Sequence, residues 1–245
     1  MSPGIERGSA VVAFRGKADG PCDERPWDAV DPECLSCAVP WRSFRWRDGQ
    51  KHYSGTYWSA TNRDHVIYES RLELARLLLA DFDLSVKRIV AQPFLMRAKV
   101  DSRVRRHIPD FLLLTDDGPI VVDVKPMHRL ADQRTRFTFT WTRALVEACG
   151  WRYEVWSGAS TSELRNVRFL SGYRRREHFQ FALLETLTAG ELDGVPFASA
   201  CRPRNGWPSP VVRAAVLHLL WVRYFDFDLT EPLRPTTALA IRVPA

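Results

Sequence analysis

No uninterrupted apolar run in the 245 residues approaches the roughly 18 that a membrane span needs. The opening stretch, MSPGIERGSAVVAFRGKADG, is too short of apolar residues for a signal peptide. The expectation is a cytoplasmic protein whose five cysteines stay reduced. Phosphate-cradling GxxxxGK[ST] is missing, which argues against nucleotide hydrolysis. A GxSxG elbow is missing too, so serine-nucleophile chemistry has no support. Cys34 and Cys37 form a lone CxxC with Cys22 upstream, and no second CxxC or HxxxH completes a zinc set. Two readings stay open there: inert thiols, or a zinc site completed by His52. No internal repeat is visible. Lysine is scarce, five against thirty arginines.

What is present is an ordinary globular balance, 45% hydrophobic and 26% charged, which excludes wholesale disorder and a fibrous fold. The net charge of +6 is unevenly placed. Basic and acidic residues number 8 and 8 over residues 1–60, 21 and 14 over 61–176, and 6 and 7 over 177–245. A basic centre points to a polyanionic partner, most simply nucleic acid. Solvated surface arginines account for the same count, so charge alone does not decide.

Residues 1–41 hold five prolines, several acids and no sustained periodicity, and read as a flexible arm. RSFRWRDGQKHYSGTYWSAT alternates aromatic and polar residues around Asp48-Gly49, a β-hairpin pattern. HVIYESRLELARLLLADFD reads as an amphipathic helix of about four turns, with Leu72, Ala75, Arg76 and Leu79 at helical spacing. VKRIVAQPFLMRAKV is extended, with Pro93 at an edge or bend. Two apolar runs then flank Asp116-Asp117-Gly118, the signature of a hairpin. Its second arm, IVVDVK, suits a central strand covered on both faces. Residues 129–149 read as a helix stopped at Gly150, and WRYEVWS as a buried strand. Beyond Ser157 the chain turns helical, with one helix over GYRRREHFQFALLETLTAG and another over PSPVVRAAVLHLLWVRYF. A turn and a short strand close the chain. Residues 171–245 form a small helical subdomain on this reading, with a winged-helix arrangement as one option.

The acids carry the chemistry. Asp110 follows Pro109 at the head of an apolar strand, and Asp123 and Lys125 flank Val124 on the paired strand. Alternation puts Asp123 and Lys125 on one face, and the hairpin brings Asp110 close. Charges at buried strand positions are costly, and a hard divalent cation such as Mg²⁺ is one reason to keep them. A buried salt bridge between Lys125 and one aspartate is the simpler alternative. Glu69 and Glu73, four residues apart, supply further acids from the preceding helix.

This set resembles the PD-(D/E)xK nuclease superfamily. The stretches YESRLE, AQPF, HIPDF and VDVKP are further similar to the TnsA family, the endonuclease subunits of bacterial heteromeric transposases. The resemblance implies an α/β, restriction-endonuclease-like core over residues 42–170, a mixed sheet flanked by helices, with the small helical subdomain after it. It implies that Glu73, Asp110, Asp123 and the backbone carbonyl of Val124 hold one or two Mg²⁺ ions, with Mn²⁺ as a substitute. It implies that Lys125 orients or activates the attacking water. Glu69 is then an outer or capping acid. Gln92 contacts either metal-bound water or phosphate, or else the backbone groups beside Pro93, and His107 is structural. The implied reaction is phosphodiester hydrolysis at the 5′ ends of a mobile element, on the non-transferred strand. The implied partners are DNA, a DDE-type transposase subunit and an ATP-dependent regulator, with no membrane involved. Arg103, Arg105 and Arg106, in a turn before Asp110, join Arg129, Arg134, Arg136 and the run Arg174, Arg175, Arg176 as candidate phosphate contacts. Two other functions fit the same residues: a stand-alone restriction or repair nuclease, and a non-catalytic assembly subunit.

Overall fold

A computed structural model describes residues 3–17, 20–42 and 53–242. The chain divides into two compact units, Met1–Gly158 and Ala159–Ala245. The boundary thus falls some dozen residues before the expected one at 170/171, because the second unit begins with a helix the sequence reading did not delimit.

The first unit is mixed α/β. It opens with β1 (Ile5–Arg15), β2 (Cys22–Pro26) and the short α1 (Pro32–Ser36). These residues are not a flexible arm. Ala10, Val12 and Phe14 alternate inward from β1, a period-2 signal hidden among the flanking prolines and charges. Trp27 packs edge-on against Trp151, with ring centroids 4.8 Å apart, and its indole Nε1 donates to the Leu145 carbonyl at 2.9 Å. Leu35 is fully buried.

The predicted turn at Asp48-Gly49, and His52, lie outside the described residues. Its second arm is β3 (Gly55–Ser59), which pairs antiparallel with β4 (Asp64–Tyr68). The predicted helix therefore starts late: HVIY is strand, and α2 spans Arg71–Phe82. Ser70 caps it, accepting from the Glu73 amide at 3.1 Å. Of the expected stripe Leu72, Ala75, Arg76 and Leu79, only Ala75 is buried. The inward residues include Leu77, Leu78 and Phe82 instead.

Next come β5 (Val86–Ala91), β6 (Leu95–Val100), β7 (Arg103–His107), β8 (Phe111–Thr115) and β9 (Gly118–Val124). The chain changes sheets at Gln92-Pro93, the predicted bend. One sheet has the order β2-β1-β6-β7, all antiparallel. The other runs β10-β9-β8-β5, where β10 (Arg152–Trp156) is parallel to β9 and the remaining pairs are antiparallel. The β8–β9 hairpin turns where expected, with Gly118 at φ +97°, a conformation that suits glycine. Helix α3 (Gln133–Ala148) follows β9, and Gly150 at φ +75° ends it. Arg129 lies in a 3₁₀ turn before α3 rather than on it. Arg103, Arg105 and Arg106 lie on β7, an edge strand, and not in a turn. One core cluster runs from Val12 and Phe14 through Phe94, Met96 and Leu112 to Trp141 and Tyr153.

The second unit holds α4 (Thr161–Leu170), α5 (Phe181–Thr188), α6 (Phe197–Ala200) and α7 (Ser209–Trp221), then the two-residue strands β11 (Phe225–Asp226) and β12 (Ala240–Ile241). The single helix expected over residues 172–190 is instead two 3₁₀ turns and α5. Val216, Leu219 and Leu220 of α7 are buried, as are Leu183 and Leu187 of α5. No helix among the described residues is long and apolar enough to cross a membrane.

Candidate functional site

The β8–β9 hairpin sets two acids side by side. Asp110 extends the ladder by donating its amide to the Val122 carbonyl at 3.1 Å. Its Oδ2 accepts from the Val124 amide at 2.6 Å. Asp123, one residue before Val124, is 2% exposed. Glu73 reaches the same place from the first turn of α2. Glu73, Asp110, Asp123, Val124 and Lys125 all line one cleft of about 720 Å³.

The capping part expected of Glu69 falls instead to Glu73. Glu69 is not on the helix: it precedes the cap residue Ser70. Glu73 is the capping acid, accepting from Ser70 Oγ at 2.9 Å and from the Glu69 amide at 2.7 Å. The Glu69 carboxylate accepts from Gln92 Nε2 at 2.8 Å and pairs with Arg42 at 3.3 Å, and it too lines the cleft. Gln92 is buried at φ +47°, a left-handed conformation uncommon outside glycine. Its Oε1 accepts from the Arg42 amide at 3.0 Å, while its own amide donates to the Asp110 carbonyl at 2.9 Å. Of the two roles open to Gln92, the bonds formed are those to backbone and to Glu69.

His107 lies in the cleft wall, and its Nε2 sits 2.9 and 2.8 Å from the two oxygens of Asp123. The Tyr153 hydroxyl, from β10, also donates to Asp123. The structural role expected of His107 follows from its offset from Asp110, its neighbour along the chain. Its partner is Asp123, sixteen residues on, and Tyr153 was not singled out at all. The one available signal was that His107 shares an alternation face with Arg105 on β7, and that names no partner.

The electrostatics follow from crowding. Burial pushes the Asp110 carboxyl well above the usual aspartate range, and the nearby charges of Asp123 and Glu73 push it further. Burial also raises Glu73, against the opposing hydrogen bonds from the Glu69 amide and Ser70. The Tyr153 phenol is raised by burial and by Asp123, so it remains a hydrogen-bond donor. Lys125 is only half-buried, and its ammonium forms no ion pair or hydrogen bond among the described residues. The salt bridge to Asp110 or Asp123 is therefore not formed.

Among the described residues, no group of three or more His, Cys, Asp or Glu side chains is gathered to hold a metal ion. All five cysteines are free thiols. In the cleft the donors are of the right chemistry for Mg²⁺: hard carboxylate oxygens whose mutual repulsion a cation relieves. Each acid is bonded to protein donors in this arrangement, so ligation requires that some of those bonds be exchanged.

The predicted phosphate contacts divide. Arg106 and Arg134 line the cleft. Arg105 lines an adjoining groove. Arg103, Arg129 and Arg136 are exposed elsewhere on the first unit. Arg174, Arg175 and Arg176 belong to the second unit, where Arg174 donates to the Ser171 carbonyl, Arg175 faces Glu177 at 3.9 Å and Arg176 donates to the Phe179 carbonyl. No known family's sequence profile matches this chain, and no curated protein sequence matches it.

Proposed function

We propose that the chain is a metal-dependent DNA endonuclease of the PD-(D/E)xK type, acting as the TnsA-like subunit of a heteromeric transposase. It hydrolyses a phosphodiester on the non-transferred strand at the 5′ ends of a mobile element. The observation that carries this reading is the convergence of Glu73, Asp110, Asp123 and Lys125, unpaired among the described residues, on one cleft. Arg106 and Arg134 in the wall suit a phosphate-bearing substrate.

Glu73, Asp110, Asp123 and the Val124 carbonyl are the groups that would hold the cation. When bound, a divalent ion supplies Lewis acidity and offsets charge on the phosphate. The protein's own part is positional. The Val124 amide holds the Asp110 carboxylate, and Ser70 with the Glu69 amide holds Glu73. Lys125, with no counter-ion among the described residues, is available to orient the attacking water and to balance charge in the transition state. Arg106 and Arg134 hold the DNA backbone against the cleft.

The test is cleavage of an end-bearing plasmid by the purified chain, alone and with a DDE-type transposase and an ATP-dependent regulator. Mg²⁺-dependent 5′-strand cleavage only in the full assembly is the expected result. Cleavage by the chain alone would favour a stand-alone nuclease. No cleavage in either case would leave the fold as a non-catalytic assembly subunit. The engagement of both Asp123 oxygens by His107 is the observation that favours that last reading.

A further inference from the structure

We propose that the groove between β7 and α3 binds a backbone phosphate of the DNA strand flanking the scissile bond, with Arg105 as its anchor. The identity of the polyanion as DNA rests on the nuclease reading above. The groove, of about 730 Å³, is lined by Arg105, Arg106, Arg134, Val104, Phe137 and Trp141 among others, and no acid lines it. It shares Arg106 and Arg134 with the cleft, so one strand can pass from one to the other.

Arg105 is the unexplained group there. Its guanidinium stands over the Phe137 ring at 5.0 Å from the centroid. Its Nε is buried and has no hydrogen-bond partner, and no carboxylate pairs with it among the described residues. A buried donor without an acceptor is unusual, and an anionic oxygen in the groove would satisfy it once the side chain turns its Nε outward. Phosphate suits a guanidinium fork, which donates through Nε and a terminal nitrogen together. Arg106 stands opposite Arg97 in the β6–β7 register. Glu24 neutralises Arg97, whereas Arg106 has no such partner among the described residues. Arg105, Arg106 and Arg134 therefore converge on a groove that no acid lines, with exposed Asp132 near Arg134. Val104, 67% exposed on the free-edge strand, offers an apolar surface for the sugar beside that phosphate.

The test is fluorescence anisotropy of a labelled DNA duplex bound to the full chain in EDTA, across a salt series. Arg105→Gln and Arg134→Gln are each expected to weaken binding several-fold and to reduce the salt slope by about one. Arg105→Lys keeps the charge but lacks the Nε donor, and is expected to restore the slope without restoring the affinity. Arg134 is exposed, so its variant tests the groove even if Arg105→Gln folds poorly. A benzophenone side chain placed at Val104 is expected to crosslink to the DNA. Unchanged affinity and slope in both glutamine variants, with no crosslink, would overturn the proposal. The two readings fail separately. Groove-dependent binding without cleavage in the complete assembly removes the nuclease reading and keeps the groove. Normal cleavage by glutamine variants that bind as the parent chain does removes the groove and keeps the nuclease.

Discussion

His107 Nε2 sits 2.9 and 2.8 Å from the two carboxylate oxygens of Asp123. The imidazole thus engages both oxygens through which Asp123 would ligate a cation, and the two compete. His107→Ala is expected to tighten Mg²⁺ binding measured by calorimetry. It should also lower metal-free stability by about 1–3 kcal/mol, since among the described residues buried Asp123 then keeps only Tyr153. Weaker Mg²⁺ binding would instead place His107 among the groups that assist the metal.

Asp110 makes stability pH-dependent in a definite direction. Its carboxyl titrates well above the ordinary aspartate range in the folded chain, so ionising it costs the fold more than the unfolded chain. That penalty is absent below the unfolded pKa of about 3.9 and grows as pH rises towards the folded value. In EDTA at neutral pH, Asp110→Asn should therefore melt higher, with the gain shrinking as pH falls towards 4. Cleavage should drop by about 100-fold or more. A variant that melts lower at neutral pH would show that Asp110 carries no such strain.

Glu73 and Glu69 can be separated by their bonds. Glutamine satisfies the same helix cap, so Glu73→Gln should keep its melting temperature and lose cleavage. Glu69→Gln should retain measurable cleavage. Ser70→Ala, which removes the cap, should cost about 1 kcal/mol in thermal unfolding. Full activity in Glu73→Gln with none in Glu69→Gln would transfer the role to Glu69.

Lys125 forms no ion pair among the described residues, so removing it leaves none of their buried acids newly exposed to repulsion. Lys125→Ala is expected to melt with the parent chain, bind DNA and lose hydrolysis. A structural counter-ion would show a loss of roughly 3–5 kcal/mol instead. That loss, together with near-normal cleavage in the full assembly, would exclude the catalytic role.

The N-terminal residues should prove integral to the first unit. Trp27 is 3% exposed and touches Phe94, Trp151 and the Leu145 carbonyl. Trp27→Ala should cost about 3–5 kcal/mol in chemical unfolding. A change under 1 kcal/mol would restore the picture of a detachable arm.

Much of this architecture was legible from residue order alone. The β8–β9 hairpin, the end of α3 and strand β10 rest on local rules: alternation, an Asp-Asp-Gly turn, a glycine stop. Those rules also placed Asp110, Asp123 and Lys125 together, because a hairpin forces near neighbours across its two arms. Local rules failed where the partner was distant. The inward alternation of Ala10, Val12 and Phe14 means little until β6 is known to pair with β1. Glu69 and Glu73 look equivalent at helical spacing, and only the paired strand β4 pushes the start of α2 past Glu69. Asp123 draws His107 from the other sheet and Tyr153 from a strand reached through α3. Such contacts join residues with no shared period or turn, so only the packing of the two sheets against a common core decides them.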